Sequence, residues 1–243
     1  MRADRAPLLV LWDIDRTLVY VGHTDRLVYR QAFTALVGRP PATLPAKGTG
    51  RTVPLAIEEL LRANGVDEHR LPALAQQMML DVPCRQAAHR EHMLATGELL
   101  PGAREALVAV HGLGHVIATV VTGNLQASAE AKLALFDLQG YLDTSIGGYS
   151  SDDPHRPNLV AVAQRRAQDR HGYVFDRTNT VIIGDSLEDV STGREGGAQV
   201  IAVASGTTPA AELARAGADV VLADLRDHKA LLTALAALSP DWK

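Results

Sequence analysis

The sequence predicts an α/β protein with a parallel sheet at its core and an inserted α-helical domain. Three observations predict this class. Short β-branched apolar runs without polar alternation recur along the chain, as expected for strands covered on both faces. Longer stretches rich in Ala, Leu and Arg separate these runs, which indicates alternating strands and helices. A long region after the first run contains only helical patterns.

Several of the five predicted strands stop abruptly at Asp, Thr or Gly; the strands are Leu8–Trp12, Val116–Val121, Thr180–Ile183, Gln199–Val203 and Ala218–Leu222. The helices predicted among and after them are Pro101–His111, Gln126–Phe136, Asn158–His171, Pro209–Ala216 and a terminal amphipathic helix, His228–Leu238. Ligands of open parallel sheets bind at the carboxyl ends of the strands. The residues that end each run are therefore the candidates for a functional site.

The region from about Val21 to Glu98 has no convincing buried strand. Its four helical patterns are Leu27–Val37, Val53–Asn64, Leu71–Val82 and Arg85–Thr96. We interpret this region as an insertion, so the predicted domains are a core of residues 1–20 and 98–243 and a helical domain of residues 21–97. The Pro- and Gly-rich stretch Pro40–Gly50 is too long for a tight turn and is predicted to be a functional loop.

The composition excludes several classes of protein. The chain has 243 residues, of which 47% are hydrophobic and 21% charged, and this is typical of a globular protein rather than a disordered, collagen-like or coiled-coil one. A net charge of −4 argues against a general nucleic-acid binder or a binder of anionic membranes. The apolar run Leu8–Trp12 is too short for a membrane span or a signal peptide, so we expect a cytoplasmic protein.

Cys84 is the only cysteine. It excludes an internal disulfide and a thiolate metal cluster. We expect its side chain to be buried as a small apolar group, since that is the commonest state of a free cysteine.

Two candidate motifs follow the first and second predicted strands. Asp13 and Asp15 come directly after the first, and alternation along an extended segment puts their side chains on the same side. Two carboxylates this close stay ionised only if a cation or hydrogen-bond donors compensate them. Thr122, Gly123 and Asn124 precede a helix, where a hydroxyl and free amides form a cradle for an anion. The ordinary structural explanations are a strand-end turn and a helix N-cap.

The third predicted strand leads into Gly184, Asp185 and Asp189. Hard oxygen ligands in this position suit Mg²⁺, which prefers one or two carboxylates together with water and phosphate. Helix capping by Asp or Ser is the structural alternative. Because all three motifs stand at the carboxyl ends of predicted parallel strands, they can converge on one crevice. Together they predict a site for metal-assisted phosphoryl transfer.

The three motifs resemble those of the haloacid dehalogenase-like hydrolase superfamily in order and spacing; they are Asp13-Ile14-Asp15-Arg16-Thr17, Thr122-Gly123-Asn124 and Gly184-Asp185-Ser186-Leu187-Glu188-Asp189. The resemblance spans nearly the whole chain and is closest to phosphoglycolate-phosphatase-like members. It implies a Rossmann-like core. It also implies that residues 21–97 form the helical cap of the superfamily's first type.

The resemblance implies a role for each residue of the first two motifs. Asp13 would attack phosphorus and form an aspartyl-phosphate. Asp15 would protonate the leaving oxygen and then activate water. Thr122 and the amide of Asn124 would hold the phosphoryl oxygens, with Gly123 between them in the same cradle.

The resemblance also implies a metal cofactor, Mg²⁺. It would be held by Asp13, the backbone carbonyl of Asp15 and Asp185, with Asp189 in support. The implied reaction is hydrolysis of a phosphomonoester, and the implied partner is a small phosphorylated metabolite. Neither nucleic acid nor a membrane is expected as a partner, and the chain would be a monomer or a homodimer.

Two departures from the superfamily's pattern stand out. Arg16 occupies a position that is usually Gly, and it fits there without disturbing either carboxylate if its backbone dihedral angles are ordinary. The lysine of the third motif is absent, since the chain has no Lys between Lys132 and Lys229. Arg156 is our candidate substitute because it keeps the charge and can hold phosphate through two donors, and His155 is the alternative.

Lys47 and Arg51 belong to a glycine-containing segment that resembles the substrate-specificity loop of related capped phosphatases. They would bind an anionic group of the substrate. A solvated basic loop is an equally good explanation of the same pattern.

Other functions on this fold remain as alternatives. A phosphomutase keeps both Asp13 and Asp15 and differs by protecting the aspartyl-phosphate from water. A 2-haloacid dehalogenase or a phosphonate hydrolase does not need the second carboxylate, so Asp15 counts against both. A non-catalytic module that binds a phosphorylated metabolite is the alternative from another class.

Overall fold

The computed structural model describes residues 7–46 and 50–239. The strands in these ranges are β1 (Leu8–Trp12), β2 (Val19–Tyr20), β3 (Glu98–Leu99), β4 (Val116–Thr122), β5 (Gly148–Tyr149), β6 (Thr180–Gly184), β7 (Gln199–Val203) and β8 (Val220–Leu222). The α-helices are α1 (Gly22–Val37), α2 (Val53–Ala63), α3 (Leu71–Ala88), α4 (Arg90–Thr96), α5 (Ala103–His111), α6 (Gln126–Leu135), α7 (Asn158–His171), α8 (Leu187–Gly196), α9 (Ala210–Ala216) and α10 (His228–Leu238). None of these helices combines the length and the apolar character needed to cross a membrane.

Six of the strands form one parallel sheet in the order β5-β4-β1-β6-β7-β8. β1 lies inside the sheet, so that Trp12 is paired with Val120 of β4 on one side and with Ile183 of β6 on the other. The order places the first strand between two others that come much later in the chain, which is how a doubly wound sheet is built. The predicted α/β class is confirmed.

Both faces of the sheet are covered by helices. The side chains of Leu8, Val10 and Trp12 lie in one apolar layer with residues of α5, α6 and α10. Leu9 and Leu11 lie in the opposite layer with residues of α7, α8 and α9. Because each side of β1 meets an apolar layer, its sequence has no polar alternation. The predicted packing of the terminal helix against the sheet is also found, since α10 belongs to the first layer.

Helices α1 to α4 are inserted between β2 and β3, and we call them the helical insertion. β2 and β3 pair in antiparallel fashion, Val19 opposite Leu99, and so bring the two ends of the insertion together. The insertion has an apolar cluster of its own, in which Phe33 of α1, Ile57 of α2 and Met78 of α3 are fully buried. It therefore does not depend on the sheet for all of its burial.

The helix boundaries within the insertion differ from the predicted ones. α1 begins at Gly22 rather than Leu27, which places further residues of this helix beside the site. α3 continues through Pro83 to Ala88, where we expected a break. A proline inside a helix removes one hydrogen bond and clashes with the preceding turn. Here the burial of residues on both sides of it, such as Val82 and Gln86, compensates for that cost.

The prediction that Cys84 is buried was wrong, because its side chain is exposed on α3. Val82 and Gln86 are buried on the same helix, and they lie one turn apart. Cys84 stands midway between them in sequence and therefore points to the opposite side of the helix.

Candidate active site

The three motifs meet at one edge of the sheet. Asp13 follows β1, Thr122 ends β4, and Asp185 follows β6. β1 lies between β4 and β6 in parallel register, so the carboxyl ends of these three strands are adjacent. The backbone N–H of Asp13 donates to the carbonyl oxygen of Ile183 at 2.9 Å, which extends the β1–β6 ladder to the first carboxylate.

Asp13, Asp185 and Asp189 form what we call the carboxylate cluster. Each offers an oxygen atom, and these oxygens all lie within 4.8 Å of one another. The three residues are 5%, 3% and 1% exposed, so water does little to screen their charges. The Thr17 hydroxyl donates to Asp185 Oδ1 at 3.3 Å. Three buried carboxylates this close require compensating positive charge.

Two glycines make room for the carboxylate cluster. A Cβ atom on Gly184 would lie 2.2 Å from Cγ of Asp189, and one on Gly206 would lie 1.7 Å from Oδ2 of Asp185. Neither carboxylate could keep its position if a larger residue replaced its glycine. Gly184 belongs to the third sequence motif. Gly206 follows β7, outside all three motifs, and no sequence pattern indicated that it lies in the site.

Asp189 is held in place by the start of α8. Ser186 is the N-cap residue, and its Oγ accepts a hydrogen bond from the Asp189 N–H at 3.2 Å. In return Asp189 Oδ2 accepts from the Ser186 N–H at 2.9 Å, which completes a capping box. Helix capping and a place in the site are therefore compatible, because capping uses Oδ2 and leaves Oδ1 directed at the cluster.

Arg156 supplies positive charge to the cluster. It is 4% exposed, and its Nη2 donates to Asp13 Oδ1 at 2.6 Å and also to Asp189 Oδ1. Nη1 donates to the carbonyl oxygen of Gly50. His155, the alternative substitute for the motif lysine, is exposed. The structure thus brings Arg156, and not His155, to the expected position.

One guanidinium does not balance three carboxylates. Burial is the main reason that the pKa of Asp13 lies well above its usual range; Asp189 raises it further, while Arg156 lowers it. Burial, together with Asp189, raises the pKa of Asp185 to about 7. Burial also opposes the charge on Arg156, but Asp189 and Asp13 outweigh it and raise the pKa of Arg156. The cluster therefore retains an excess of negative charge when it is ionised.

The donor set of the cluster fits a hard divalent cation. Its ligands are carboxylate oxygens only, they are buried, and they approach one another closely enough to share one ion. Mg²⁺ prefers such ligands, combined with water and substrate phosphate, over nitrogen or sulfur. A cation here would also offset the burial and the mutual repulsion that together raise the pKa values of Asp13 and Asp185.

Thr122 and Asn124 form a polar cradle beside the cluster. Both are buried, and Asn124 Nδ2 donates to Thr122 Oγ1 at 2.8 Å and to Asp15 Oδ2 at 2.7 Å. The Asn124 N–H also points at Thr122 Oγ1, at 3.3 Å. The Thr122 hydroxyl accepts these hydrogen bonds and donates to no other residue that the structure describes. Its proton is therefore available to a ligand.

Gly123 lies directly beneath the segment that leads into α2. A Cβ atom on it would lie 2.7 Å from the carbonyl oxygen of Arg51. The Val53 N–H donates to the Gly123 carbonyl at 2.8 Å, and the Thr52 hydroxyl donates to the carbonyl of Pro154 at 2.8 Å. The helical insertion is thus closed onto the core at this point.

Lys132 is a functional candidate that the sequence analysis missed. It lies on α6, is 1% exposed, and its Nζ donates to Asp15 Oδ1 at 2.9 Å and to Asp25 Oδ2 at 3.0 Å. Burial opposes its charge, but Asp15 and Asp25 outweigh this and raise the pKa of Lys132. The sequence offered one sign of this role. Lys132 lies four residues after Ser128, so both polar side chains fall on the same face of a helix rich in Ala and Leu.

Arg16 does not have the ordinary dihedral angles that we expected. Its φ is +64°, in the left-handed region that suits glycine, the usual residue here. The Arg16 N–H donates to the Val19 carbonyl at 2.7 Å, and its own carbonyl accepts from Ser205 at 2.7 Å. The guanidinium lies over the ring of Tyr20, 4.6 Å from its centre. This stacking and the two hydrogen bonds offset a backbone cost of about 1–2 kcal/mol.

A cavity of about 190 Å³ lies between the core and the helical insertion. Its core side is lined by the Thr122–Asn124 cradle and by charged residues of the site; these lining residues are Asp13, Asp15, Thr122, Gly123, Asn124, Arg156 and Asp185. Its insertion side combines apolar and polar groups, among them Asp25, Tyr29, Leu44, Val53, Val82 and Gln86. Arg51 also lines it and is paired with Glu59. Lys47 lies outside the described residues.

Comparison with known proteins agrees with this arrangement. A family model described as haloacid dehalogenase-like hydrolase matches residues 10–194. A probable phosphatase, IndB, from Dickeya dadantii is 28% identical over 221 residues, which are 88% of each chain. A plasmid-encoded phosphoglycolate phosphatase from Cupriavidus necator is 30% identical over 238 residues, 92% of each chain. A solved structure of a predicted phosphatase from Clostridium acetobutylicum has a TM-score of 0.68 at 18% identity and covers 94% of this chain and 100% of its own.

The matched region begins within β1 and ends within α8, so it contains all three motifs and Arg156. Both relatives carry phosphatase names, and the expected enzyme class, a phosphatase of this superfamily, is confirmed. The family match over most of the chain and the 30% identical relative lead to one conclusion. The chain belongs to the haloacid dehalogenase-like hydrolase family.

Proposed function

We propose that this protein hydrolyses a small phosphomonoester with the help of Mg²⁺ and through an aspartyl-phosphate on Asp13. The observation that carries the proposal is the environment of Asp13. Its carboxylate is buried at the end of the central strand, in contact with Arg156 and within 4.8 Å of Asp185 and Asp189. Such a site combines a nucleophile with groups that neutralise charge on a transferred phosphoryl group.

In the first step, an Asp13 carboxylate oxygen forms a bond to phosphorus while the bond from phosphorus to the alcohol oxygen breaks. The Thr122 hydroxyl and the amide of Asn124 would hold phosphoryl oxygens, because the two groups lie in hydrogen-bond contact beside the carboxylate cluster and the hydroxyl proton is available. Arg156 would compensate the charge that accumulates as the nucleophile approaches.

Asp15 would act as acid and then as base. In the first step its proton passes to the leaving oxygen, which departs as the alcohol. In the second step it accepts a proton from water, the water oxygen bonds to phosphorus, and the bond to Asp13 breaks to release phosphate. Asp15 lines the cavity on the core side, with its side chain 37% exposed, as an acid that meets the leaving group must be.

Asp13, the backbone carbonyl of Asp15 and Asp185 would hold Mg²⁺, with Asp189 in support. When bound, the ion reduces the repulsion between the nucleophile and the phosphate and stabilises charge on the transferred group. The oxygen-only donor set of the carboxylate cluster supports this ion rather than a softer one.

The helical insertion, residues 21–97, would act as a cap that closes over the substrate and excludes water before attack. Three contacts between the segment at residues 50–53 and the core support this role. They are Arg156 to Gly50, Thr52 to Pro154, and Val53 to Gly123. All three would have to break for the cap to open.

The substrate would be small. The cavity has a volume of about 190 Å³, below the range of about 300–1,000 Å³ that is usual for drug-sized ligands. A small phosphorylated metabolite fits this volume. Lys47 and Arg51 would bind an anionic group of such a substrate, which is one of the two explanations that the sequence left open, and the position of Arg51 at the cavity wall supports it. A cytoplasmic location and a monomeric or homodimeric state stay predictions from the sequence.

The direct test is hydrolysis of p-nitrophenyl phosphate and a panel of phosphate esters, with and without Mg²⁺. We expect Mg²⁺-dependent release of phosphate, and we expect Asp13→Asn to lower kcat by at least about 10³-fold because the nucleophile is lost. Asp169→Asn serves as the matched control, since Asp169 is an exposed aspartate on α7.

Three outcomes would contradict the proposal in different ways. Unchanged turnover by Asp13→Asn would rule out Asp13 as the nucleophile. An isomerised sugar phosphate without free phosphate would identify a phosphomutase. Metal-dependent binding of phosphate esters without turnover of any of them would identify a binding module.

A further inference from the structure

We propose that Lys132 is a positioning residue that orients Asp15, Asn124 and, through Asn124, Thr122. The proposal rests on the function proposed above, because these three residues act together only in phosphoryl transfer. Lys132 lies on α6, behind the residues that line the cavity, and acts through them.

The three N–H donors of the Lys132 ammonium group all have partners. Nζ lies 2.9 Å from Asp15 Oδ1, 3.0 Å from Asp25 Oδ2 and 2.9 Å from Asn124 Oδ1. A buried ammonium group is costly unless it is paired and fully hydrogen-bonded. Ala129, one turn before it on the same face, is apolar and fully buried, so packing alone would favour an apolar residue at this position. The charge of Lys132 therefore serves its partners.

Lys132 determines which way the Asn124 amide points. Since Oδ1 of Asn124 accepts from the ammonium group, Nδ2 must face Asp15 Oδ2 and Thr122 Oγ1, at 2.7 and 2.8 Å. The reversed amide would place its NH₂ group against the ammonium group, where two sets of donors meet. The Thr122 oxygen is thereby made an acceptor towards Asn124, and its proton remains free for a phosphoryl oxygen.

The same ammonium group connects the core to the helical insertion. Asp25 lies on α1, and its two carboxylate oxygens accept from Lys132 Nζ at 3.0 Å and from Gln86 Nε2 of α3 at 2.8 Å. A continuous chain of hydrogen bonds thus runs from α3 through Asp25 and Lys132 to Asp15. In the closed arrangement, the orientation of Asp15 is supported from both sides of the cavity.

The test compares substrates that differ in how much they need an acid. p-Nitrophenyl phosphate has a leaving group that departs without a proton, whereas an alkyl ester such as glycerol phosphate needs one. We expect Lys132→Met to lower kcat on the alkyl ester by on the order of 10²–10³-fold but on p-nitrophenyl phosphate by only about tenfold. Lys132→Arg should recover part of the difference, and Lys229→Met, an exposed lysine on α10, should change neither rate.

Equal losses on the two substrates would overturn the proposal, because a general disturbance of the fold does not discriminate between leaving groups. If Lys132→Met does not fold, Asp25→Asn provides the same comparison with Lys132 in place. Asp25→Asn should lower kcat on the alkyl ester more than kcat on p-nitrophenyl phosphate, with a change in their ratio of about tenfold or less. An unchanged ratio would contradict the role of Asp25 in supporting Lys132.

Binding of inorganic phosphate in the presence of Mg²⁺ separates this proposal from the proposed function. We expect Lys132→Met to weaken phosphate binding at least about tenfold in a calorimetric titration, because Asn124 and Thr122 lose their orientation. Unchanged affinity would show that Lys132 does not orient the cradle. If the wild-type protein turns over no ester while Lys132→Met still binds phosphate more weakly than the wild type, the hydrolase proposal is contradicted and the role of Lys132 is not.

Discussion

Single residues in this site are held by hydrogen bonds between opposite charges at short distances. Arg156 is planar, and one of its nitrogens serves Asp13 and Asp189 while the other serves the Gly50 carbonyl. The superfamily usually has a lysine in the third motif. A lysine carries its charge on one nitrogen and could not make these contacts from two separate nitrogens. Arginine therefore combines the role of a counter-ion with a contact to Gly50, which lines the cavity.

Gly206 is predicted to be important for metal binding although it carries no functional group. A Cβ atom there would lie 1.7 Å from Asp185 Oδ2, so Gly206→Ala must displace the carboxylate or the loop after β7. We expect the variant to bind Mg²⁺ about 10–100-fold more weakly, as measured by calorimetric titration. Gly140→Ala is the matched control, because nothing lies within 4 Å of the added atom. Equal affinities for the two variants would contradict this account of Gly206.

At the scale of elements, α8 links helix stability to the site. Its capping box joins Ser186 and Asp189 through bonds in both directions, and Asp189 Oδ1 reaches Arg156 from the same turn. The positive end of the helix backbone also favours carboxylates at this position. The start of the helix and the carboxylate cluster therefore share a residue, and a change in one affects the other.

Ser186→Ala tests this link. Loss of the N-cap hydroxyl should lower the free energy of unfolding by about 1 kcal/mol, as measured by urea denaturation. It should also weaken Mg²⁺ binding, because Asp189 Oδ2 loses the hydroxyl that donates to it at 2.6 Å. Ser191→Ala on the same helix should change stability by less than about 0.5 kcal/mol, since the Ser191 hydroxyl donates to Glu195 at the surface. Similar losses for both variants would argue against the capping box as the cause.

At the scale of the whole molecule, an acidic chain can bind an acidic substrate because its charges are segregated. The net charge is −4, yet the core side of the cavity combines Arg156 with a cluster that would take a divalent cation. The pKa values of Asp13 and Asp185 are raised mainly by burial, so these carboxyls hold protons more tightly in the folded than in the unfolded chain. Without metal, ionising them opposes folding.

The stabilisation by Mg²⁺ should therefore increase with pH. For the metal-free protein, the raised pKa values lower the free energy of unfolding as pH rises from about 4, the usual Asp value, to about 7. Mg²⁺ binds the ionised cluster, so the rise in Tm that it causes should be larger at about pH 8 than at about pH 5.5. Thermal unfolding with and without Mg²⁺ at both pH values measures this, and Asp185→Asn should remove much of the difference. An equal Mg²⁺ effect at both pH values would contradict it.

The sequence alone determined the strands that are buried on both faces and the positions of their ends. Continuous apolar runs such as Leu8–Trp12 occur where helices cover both sides of a sheet, and this is a local property of the chain. Since parallel strands end at a common edge, the positions of Asp13, Thr122 and Asp185 at strand ends were enough to predict that they lie together. β2, β3 and β5 have only two residues each, which is too short for a pattern to be recognised.

Only the tertiary structure decided which residues far apart in sequence support that edge. Lys132 reaches Asp15 and Asp25, which are 117 and 107 positions away, and Gly206 lies against Asp185 from a different loop. Arg16 takes a left-handed backbone, stabilised by stacking on Tyr20 and by Ser205. These contacts depend on how helices and loops pack in three dimensions, and no local pattern encodes such distances. Strand ends follow from local hydrophobicity, whereas the charges and glycines that make the site work follow from packing.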